Sequence, residues 1–248
     1  MYKKIKGINI NHITYGNKSG DDVVLLHGWG QNIDMMRPIG DRLKNKFKIT
    51  IIDLPGFGGS SEPKEVLSIY DYVDILKELL EELNIKKPNL VGHSFGGKIS
   101  IVYSSKYDVE KLVLLASPFC KEIEKLSLKT KVLKKLKKVP ILNKLENIAK
   151  KHIGSSDYRN ASETMRKILV EHVNLNVIED AKKINVPTIL IWGTNDSEVS
   201  LNRAYELENL IKDSAVIEFQ GCTHYAYLER LDQTVNIINN LFTGGNYE

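Results

Sequence analysis

Cysteine is almost absent. Cys120 and Cys222 are the only two in 248 residues. Two are too few for a disulfide framework, and they lack the paired spacing of a zinc site. That usage points to a reducing, cytoplasmic compartment. Long apolar runs are missing as well. No stretch approaches the roughly 18 apolar residues of a membrane-spanning helix. The basic N-terminus, Met1 to Gly7, leads into no apolar stretch, so no secretory signal is expected. An excess of one charge is missing too. Lys and Arg number 35 against 31 Asp and Glu, a net charge of +4, too small to argue for nucleic acid. Prolines number only seven, with 42% hydrophobic and 27% charged residues, which excludes a disordered or fibrous chain. The length fits one α/β domain with room for a full core.

Short apolar runs alternate with longer helical patterns. The runs are Val23–Leu26, Ile49–Ile52, Asn89–Val91, Leu112–Ala116, Thr188–Trp192 and Val216–Phe219. Between them lie stretches such as Tyr70–Leu83, apolar at Tyr72, Val73, Leu76, Leu79, Leu80 and Leu83, a 3.6-residue period. Such alternation predicts βαβ units and a mostly parallel sheet. Lys4–Tyr15 reads as an antiparallel edge hairpin, which brings the sheet to eight strands. Between about Phe119 and Val186 no strand-like run occurs. That helical stretch is expected to be a cap (119–186) inserted into a core of residues 1–118 and 187–248. A cap there covers the carboxyl edge of the sheet, where open α/β sheets bind ligands.

The segment Pro88-Asn-Leu-Val-Gly-His-Ser-Phe-Gly-Gly carries the strongest chemical signal. A strand ends at Gly92 and a helix begins just after Ser94. A serine on so sharp a turn has a strained backbone and an outward hydroxyl, while Gly92 and Gly96 let neighbouring backbone pass close by. The same residues contain a decoy. Gly92-x-x-x-x-Gly97-Lys98 starts like a phosphate-binding loop. The next residue should be Ser or Thr, yet it is Ile99. Ser100 comes one position late, about 100° round a helix.

A serine hydroxyl needs a base, and the base needs a carboxylate to orient it. After an elbow of this kind the acid and then the histidine follow along the chain. Of six histidines, His12 and His27 precede Ser94, and His93 lies within the turn. His152 and His172 fall in the helical insert, where solvated or packed roles are expected. His224, in Gly221-Cys-Thr-His-Tyr225 after the last strand run, has the right order and place. The acid follows Thr188-Ile-Leu-Ile-Trp-Gly-Thr-Asn-Asp196. Asn195 cannot carry the charge, Asp53 comes too early, and Asp213 and Asp232 lie in helical or turn context. The oxyanion needs preorganised N–H donors. The Phe95 amide is one. Trp29, in Leu26-His-Gly-Trp-Gly30, supplies the other, with its indole lining the acyl pocket.

These blocks resemble the α/β-hydrolase superfamily across nearly the whole chain. They are residues 25–30, 52–60, 91–97, 190–196 and 221–224. The resemblance implies an α/β-hydrolase fold, a Ser94, Asp196 and His224 triad, and an oxyanion hole at the Trp29 and Phe95 amides. It implies no metal and no cofactor. It also makes Asp53 and the Gly56–Ser60 turn structural. The family's epoxide hydrolases and haloalkane dehalogenases carry aspartate at the Ser94 position, so their mechanism is not expected. The His-Gly-Trp-Gly loop is similar to that of esterases such as the biotin-pathway enzyme that cleaves a pimeloyl-carrier methyl ester. Two departures from the family pattern are peripheral: Ser200 and Leu231 stand where proline is usual. Glu229 matches a usual structural glutamate. The expected reaction is hydrolysis of a carboxylic ester through an acyl-enzyme. Thioester hydrolysis, carbon–carbon bond hydrolysis, lyase chemistry and a non-enzymatic ligand receptor or signalling partner remain open on the same residues.

From Lys121 to Lys151 stand eleven lysines against three glutamates, with apolar residues recurring between them. The plain reading is a cap whose apolar face covers the site and whose lysines meet solvent. The alternatives are an acidic acyl-carrier partner, an anionic acyl thioester, or an anionic membrane surface. Arg159 and Arg166 also lie in the insert. Facing the pocket, either would suit a carboxylate-bearing substrate.

Overall fold

The computed structural model describes residues 1–121 and 161–244. Its centre is an eight-stranded sheet in the order β1-β2-β4-β3-β5-β6-β7-β8. The strands are β1 (Tyr2–Ile5), β2 (Ile8–Gly16), β3 (Asp22–Leu26), β4 (Lys48–Ile52), β5 (Asn89–His93), β6 (Leu112–Leu115), β7 (Thr188–Gly193) and β8 (Ser214–Phe219). β1 and β2 form the expected antiparallel edge hairpin, a little longer than its apolar pattern, and β2 runs antiparallel to β4. All the other pairings are parallel.

The inner strands are apolar on both sides because helices cover both faces. Val23 and Leu25 of β3 pack with Ile49 and Ile51 of β4 on one face. There they meet α1 (Ile33–Leu43) and α8 (Leu231–Thr243) through Met36, Ile39 and Ile238. Val24 and Leu26 point to the other face. That layer holds α2 (Ile69–Glu82), α3 (Phe95–Lys106), α5 (Ile178–Ala181) and α6 (Leu201–Glu208). The helix starts are written in polar side chains. Ser68 accepts from the Asp71 amide while Asp71 reaches back, a complete capping box before α2. Asn32 caps α1 through the Asp34 amide. The remaining helices are α4 (Glu163–Asn174) and the short α7 (Ala226–Glu229).

Strand order places the site. β3 hands the chain outward to β4, whereas β5 returns to its other side. The direction in which strands are added therefore reverses between the parallel β3 and β5, and a crevice opens beyond their carboxyl ends. The loop after β3 carries Trp29 and the turn after β5 carries Ser94. Leu26 pairs with Gly92, so both strands end at one level. Among the described residues no helix is long and apolar enough to cross a membrane.

Candidate active site

Ser94 sits at φ 49° and ψ −111°, a left-handed conformation that a residue with a side chain avoids. Both neighbouring strands hold it there. The Ser94 amide donates to the Leu115 carbonyl of β6 at 2.9 Å, and the Gly96 amide to His27 O at 3.1 Å. The elbow leaves no room for side chains. A Cβ on Gly92 would lie 2.6 Å from Gly96 O, and one on Gly96 2.6 Å from Leu26 O and His27 O. The Phe95 amide opens α3, and the first N–H groups of a helix have no acceptor within it.

Asp196 lies three residues beyond β7 on a turn closed by its own amide and Gly193 O at 3.2 Å. Its side chain is fully enclosed. Oδ1 accepts from the Glu198 and Val199 amides at 2.8 and 2.9 Å. Oδ2 meets His224 Nδ1 at 2.8 Å. That contact fixes the proton on Nδ1 and leaves Nε2 as the basic nitrogen. The acid and base loops are stitched together. Asn195 N donates to Cys222 O at 2.9 Å, and Asn195 Nδ2 to Gly221 O at 3.2 Å. A Cβ on Gly193 would stand 2.3 Å from the carbonyl oxygens of Cys222 and Thr223. Glu229 accepts from the Thr223 amide at 3.1 Å and also from its hydroxyl, bracing the residue before His224. That is a structural role, as expected.

Three of the expected residues thus converge at one sheet edge. No hydrogen bond joins Ser94 to His224 among the described residues. His224 Nε2 instead lies 3.5 Å from Glu198 Oε2. A cavity of about 180 Å³ opens over the serine, and Trp29, Ser94, Lys98, His172 and Glu198 all line it. The Trp29 indole packs edge-on against Phe95 and Phe57, with centroids 5.2 and 4.9 Å away. His172 of α4 lies parallel to it at 6.3 Å.

Residues to which the sequence assigned no catalytic role surround the site. His93 is fully buried and bridges two loops. Its Nε2 donates to His224 O at 3.1 Å, and its Nδ1, then without a hydrogen, lies 3.2 Å from the Gln31 side-chain amide. Burial first, and His224 second, hold it well below the usual imidazole range. His27 clamps the loops after β3 and β4. Its Nδ1 meets Gly28 O at 2.7 Å while its Nε2 accepts from the Leu54 amide at 3.0 Å. Burial pushes it down to about 4. Asp53 accepts from the amides of Ile33 and Gly59, both at 2.7 Å, and from Asn11 Nδ2 at 2.8 Å. It is structural. Lys98, part of the phosphate-loop decoy, is 1% exposed. Its ammonium donates to His172 O at 2.8 Å and Leu175 O at 3.0 Å, capping the carboxyl end of α4. Burial lowers it to about 8.

His172 is packed rather than solvated, at 6% exposure. Burial, with Lys98 beside it, keeps its ring neutral. Arg166 lines a separate hollow with Glu163, Lys167 and Val170 and is not among the residues around Ser94. His152, Arg159 and the basic pattern from residue 122 to residue 151 lie outside the described residues.

Residues 22–133 match the family model of the alpha/beta hydrolase fold. Lipase 3 of a Moraxella species is 28% identical over 253 residues, covering 89% of this chain and 76% of the lipase. The pimeloyl-acyl-carrier-protein methyl ester esterase of Aliivibrio fischeri is 24% identical, covering 88% and 91%. The crystal structure of a bacterial membrane phospholipase A superposes with a TM-score of 0.81 at 20% identity, covering 100% of this chain and 86% of that one. The chain has the α/β-hydrolase fold, and the relatives it resembles are hydrolases.

Proposed function

We propose that the chain is a cofactor-independent carboxylic ester hydrolase working through a Ser94 acyl-enzyme. The observation that carries this reading is the 2.8 Å contact between His224 Nδ1 and an enclosed Asp196 carboxylate, set beside a strained elbow serine. Substrate brings Ser94 Oγ within reach of His224 Nε2. Such bonds are often long in an empty site and tighten on binding. Nε2 takes the serine proton as Oγ attacks the ester carbonyl. The Phe95 and Trp29 amides hold the oxyanion, each worth roughly 100- to 1000-fold in rate. The imidazolium, steadied by Asp196, then protonates the leaving alcohol. Water, activated by the same nitrogen, releases the acid.

The insert 119–186 is read as a cap on a core of 1–118 and 187–248, with its last helix, α5, packing beside α3 over the sheet. The similarity to an acyl-carrier-protein methyl ester esterase supports an acyl substrate. A basic segment from 121 to 151 suits an acidic carrier.

The test is a fluorophosphonate label on wild type and Ser94→Ala, followed by 4-nitrophenyl esters of rising chain length. Wild type should label and turn over esters, and Ser94→Ala should do neither. Labelling that survives the substitution overturns the nucleophile. Labelling without turnover of any ester moves the reaction to a thioester or a carbon–carbon bond.

A further inference from the structure

Lys98 brings a cation to the wall of the cavity that holds Ser94. It lies one helical turn beyond the nucleophile and is 1% exposed. An ammonium has three N–H donors. Two of them go to His172 O and Leu175 O. Among the described residues no carboxylate pairs with the charge, and Cys120 is the titratable group that acts on it in the same wall. His172 stands beside it in the same wall, 6% exposed, with an Nδ1 that has no hydrogen-bond partner. Much of the remaining wall is apolar, including Trp29, Pro118, Val173 and Val199. A buried charge among apolar groups is costly until an opposite charge joins it.

The cavity has a polarity. Glu198 lies next to His224 Nε2, on the side where the leaving alcohol must pick up its proton. Its carboxylate repels an anion there. An anionic end of the substrate is therefore assigned to Lys98 rather than to the neighbourhood of Glu198. At about 180 Å³ the space is smaller than the roughly 300 Å³ at which drug-sized pockets begin, so the acyl chain is short.

Resting on the ester-hydrolase reading above, we propose that Lys98 binds a carboxylate at the far end of the acyl chain, so that the preferred substrates are monoesters of short dicarboxylic acids. Two backbone carbonyls hold the ammonium in place before substrate arrives. A carboxylate reaching that wall would meet a charge already held in position, with no reorganisation needed. His172, neutral and unpartnered at Nδ1, adds a second polar group to that wall.

The test compares monomethyl glutarate with methyl pentanoate and with the neutral methyl 5-oxohexanoate, by chromatography of the released acids. Wild type should favour the hemi-ester in kcat/KM by about tenfold or more, the scale of one charge-assisted hydrogen bond. Lys98→Met should lose that preference. Equal or reversed preference in wild type overturns the proposal, as does a preference that survives Lys98→Met. A second measurement needs neither the variant nor ester turnover. Glutarate should slow fluorophosphonate labelling of wild-type Ser94 at lower concentration than pentanoate does, and equal protection overturns the proposal. Labelling without any ester turnover would sink the ester reading alone, because the competition still decides the role of Lys98.

Discussion

His93 Nε2 lies 3.1 Å from the backbone carbonyl of His224, on the far side of the elbow from Ser94. The residue beside the nucleophile therefore holds the loop of the base. His93→Leu keeps the apolar packing and deletes that bond, leaving a buried carbonyl unpaired at a cost of about 1–3 kcal/mol. Thermal melting should drop by several degrees. Ester turnover should fall mainly in kcat, because the base shifts while the acyl pocket is untouched. An unchanged kcat with a lowered Tm would make His93 a packing residue only.

Asp196→Asn keeps the shape of the turn but removes the charge, and with its oxygen held by the Glu198 and Val199 amides it turns an NH2 donor toward His224 Nδ1. The expected loss is about 10⁴-fold in kcat, as for a triad with the wrong imidazole tautomer, with little change in KM. Steady-state kinetics on an ester that labels the wild-type serine checks this. A loss under about tenfold would show that Asp196 does not orient the base.

Gly193→Ala places a methyl group 2.3 Å from two carbonyl oxygens of the His224 loop. Backbone must move, and overpacking of this kind costs typically 1–3 kcal/mol. Because the displaced loop carries the base, kcat should fall more steeply than Tm. A circular dichroism melt and the same ester assay separate the two effects.

Four buried histidines set the response to acid. His27 is pushed down to about 4, His93 and His172 are held well below the ordinary range, and His12 is lowered too, all chiefly by burial. Each is neutral in the folded state, whereas the unfolded chain takes up a proton below about pH 6.5. The unfolded state thus binds more protons, and stability falls as pH drops through 6.5 toward the folded values. Each residue adds a slope approaching about 1.4 kcal/mol per pH unit. Carboxylates stay largely ionised above pH 5, so urea midpoints between pH 7 and 5 isolate the effect. A flat profile across that window would contradict it.

The strands and the elbow were legible because each is a local pattern. Gly92 to Gly96 and the run before Asp196 show their geometry in consecutive residues. The wider site was not legible for a physical reason. Lys98 matched a phosphate loop in sequence, yet two of its three donors go to the carbonyls of residues 172 and 175, which no local pattern links to it. Glu198 reads as an ordinary loop glutamate until the turn at Asp196 brings it beside His224 Nε2. His172 follows a helical period that suits a solvated or a packed histidine equally. Only its position beneath Trp29 and Phe95 decides between them.

The stitching of Asn195 to Cys222 and Gly221 also bears on how the chain acquires activity. Trp29, Ser94, Asp196 and His224 come from four loops spread over most of the chain, and the parallel strands beneath them pair only after long crossovers. Such distant pairings form slowly. During refolding, the return of serine labelling should trail the return of helical signal. A nascent chain that has not yet closed β8 onto β7 would hold its proposed nucleophile without its proposed base, and should stay unlabelled until the last strand docks.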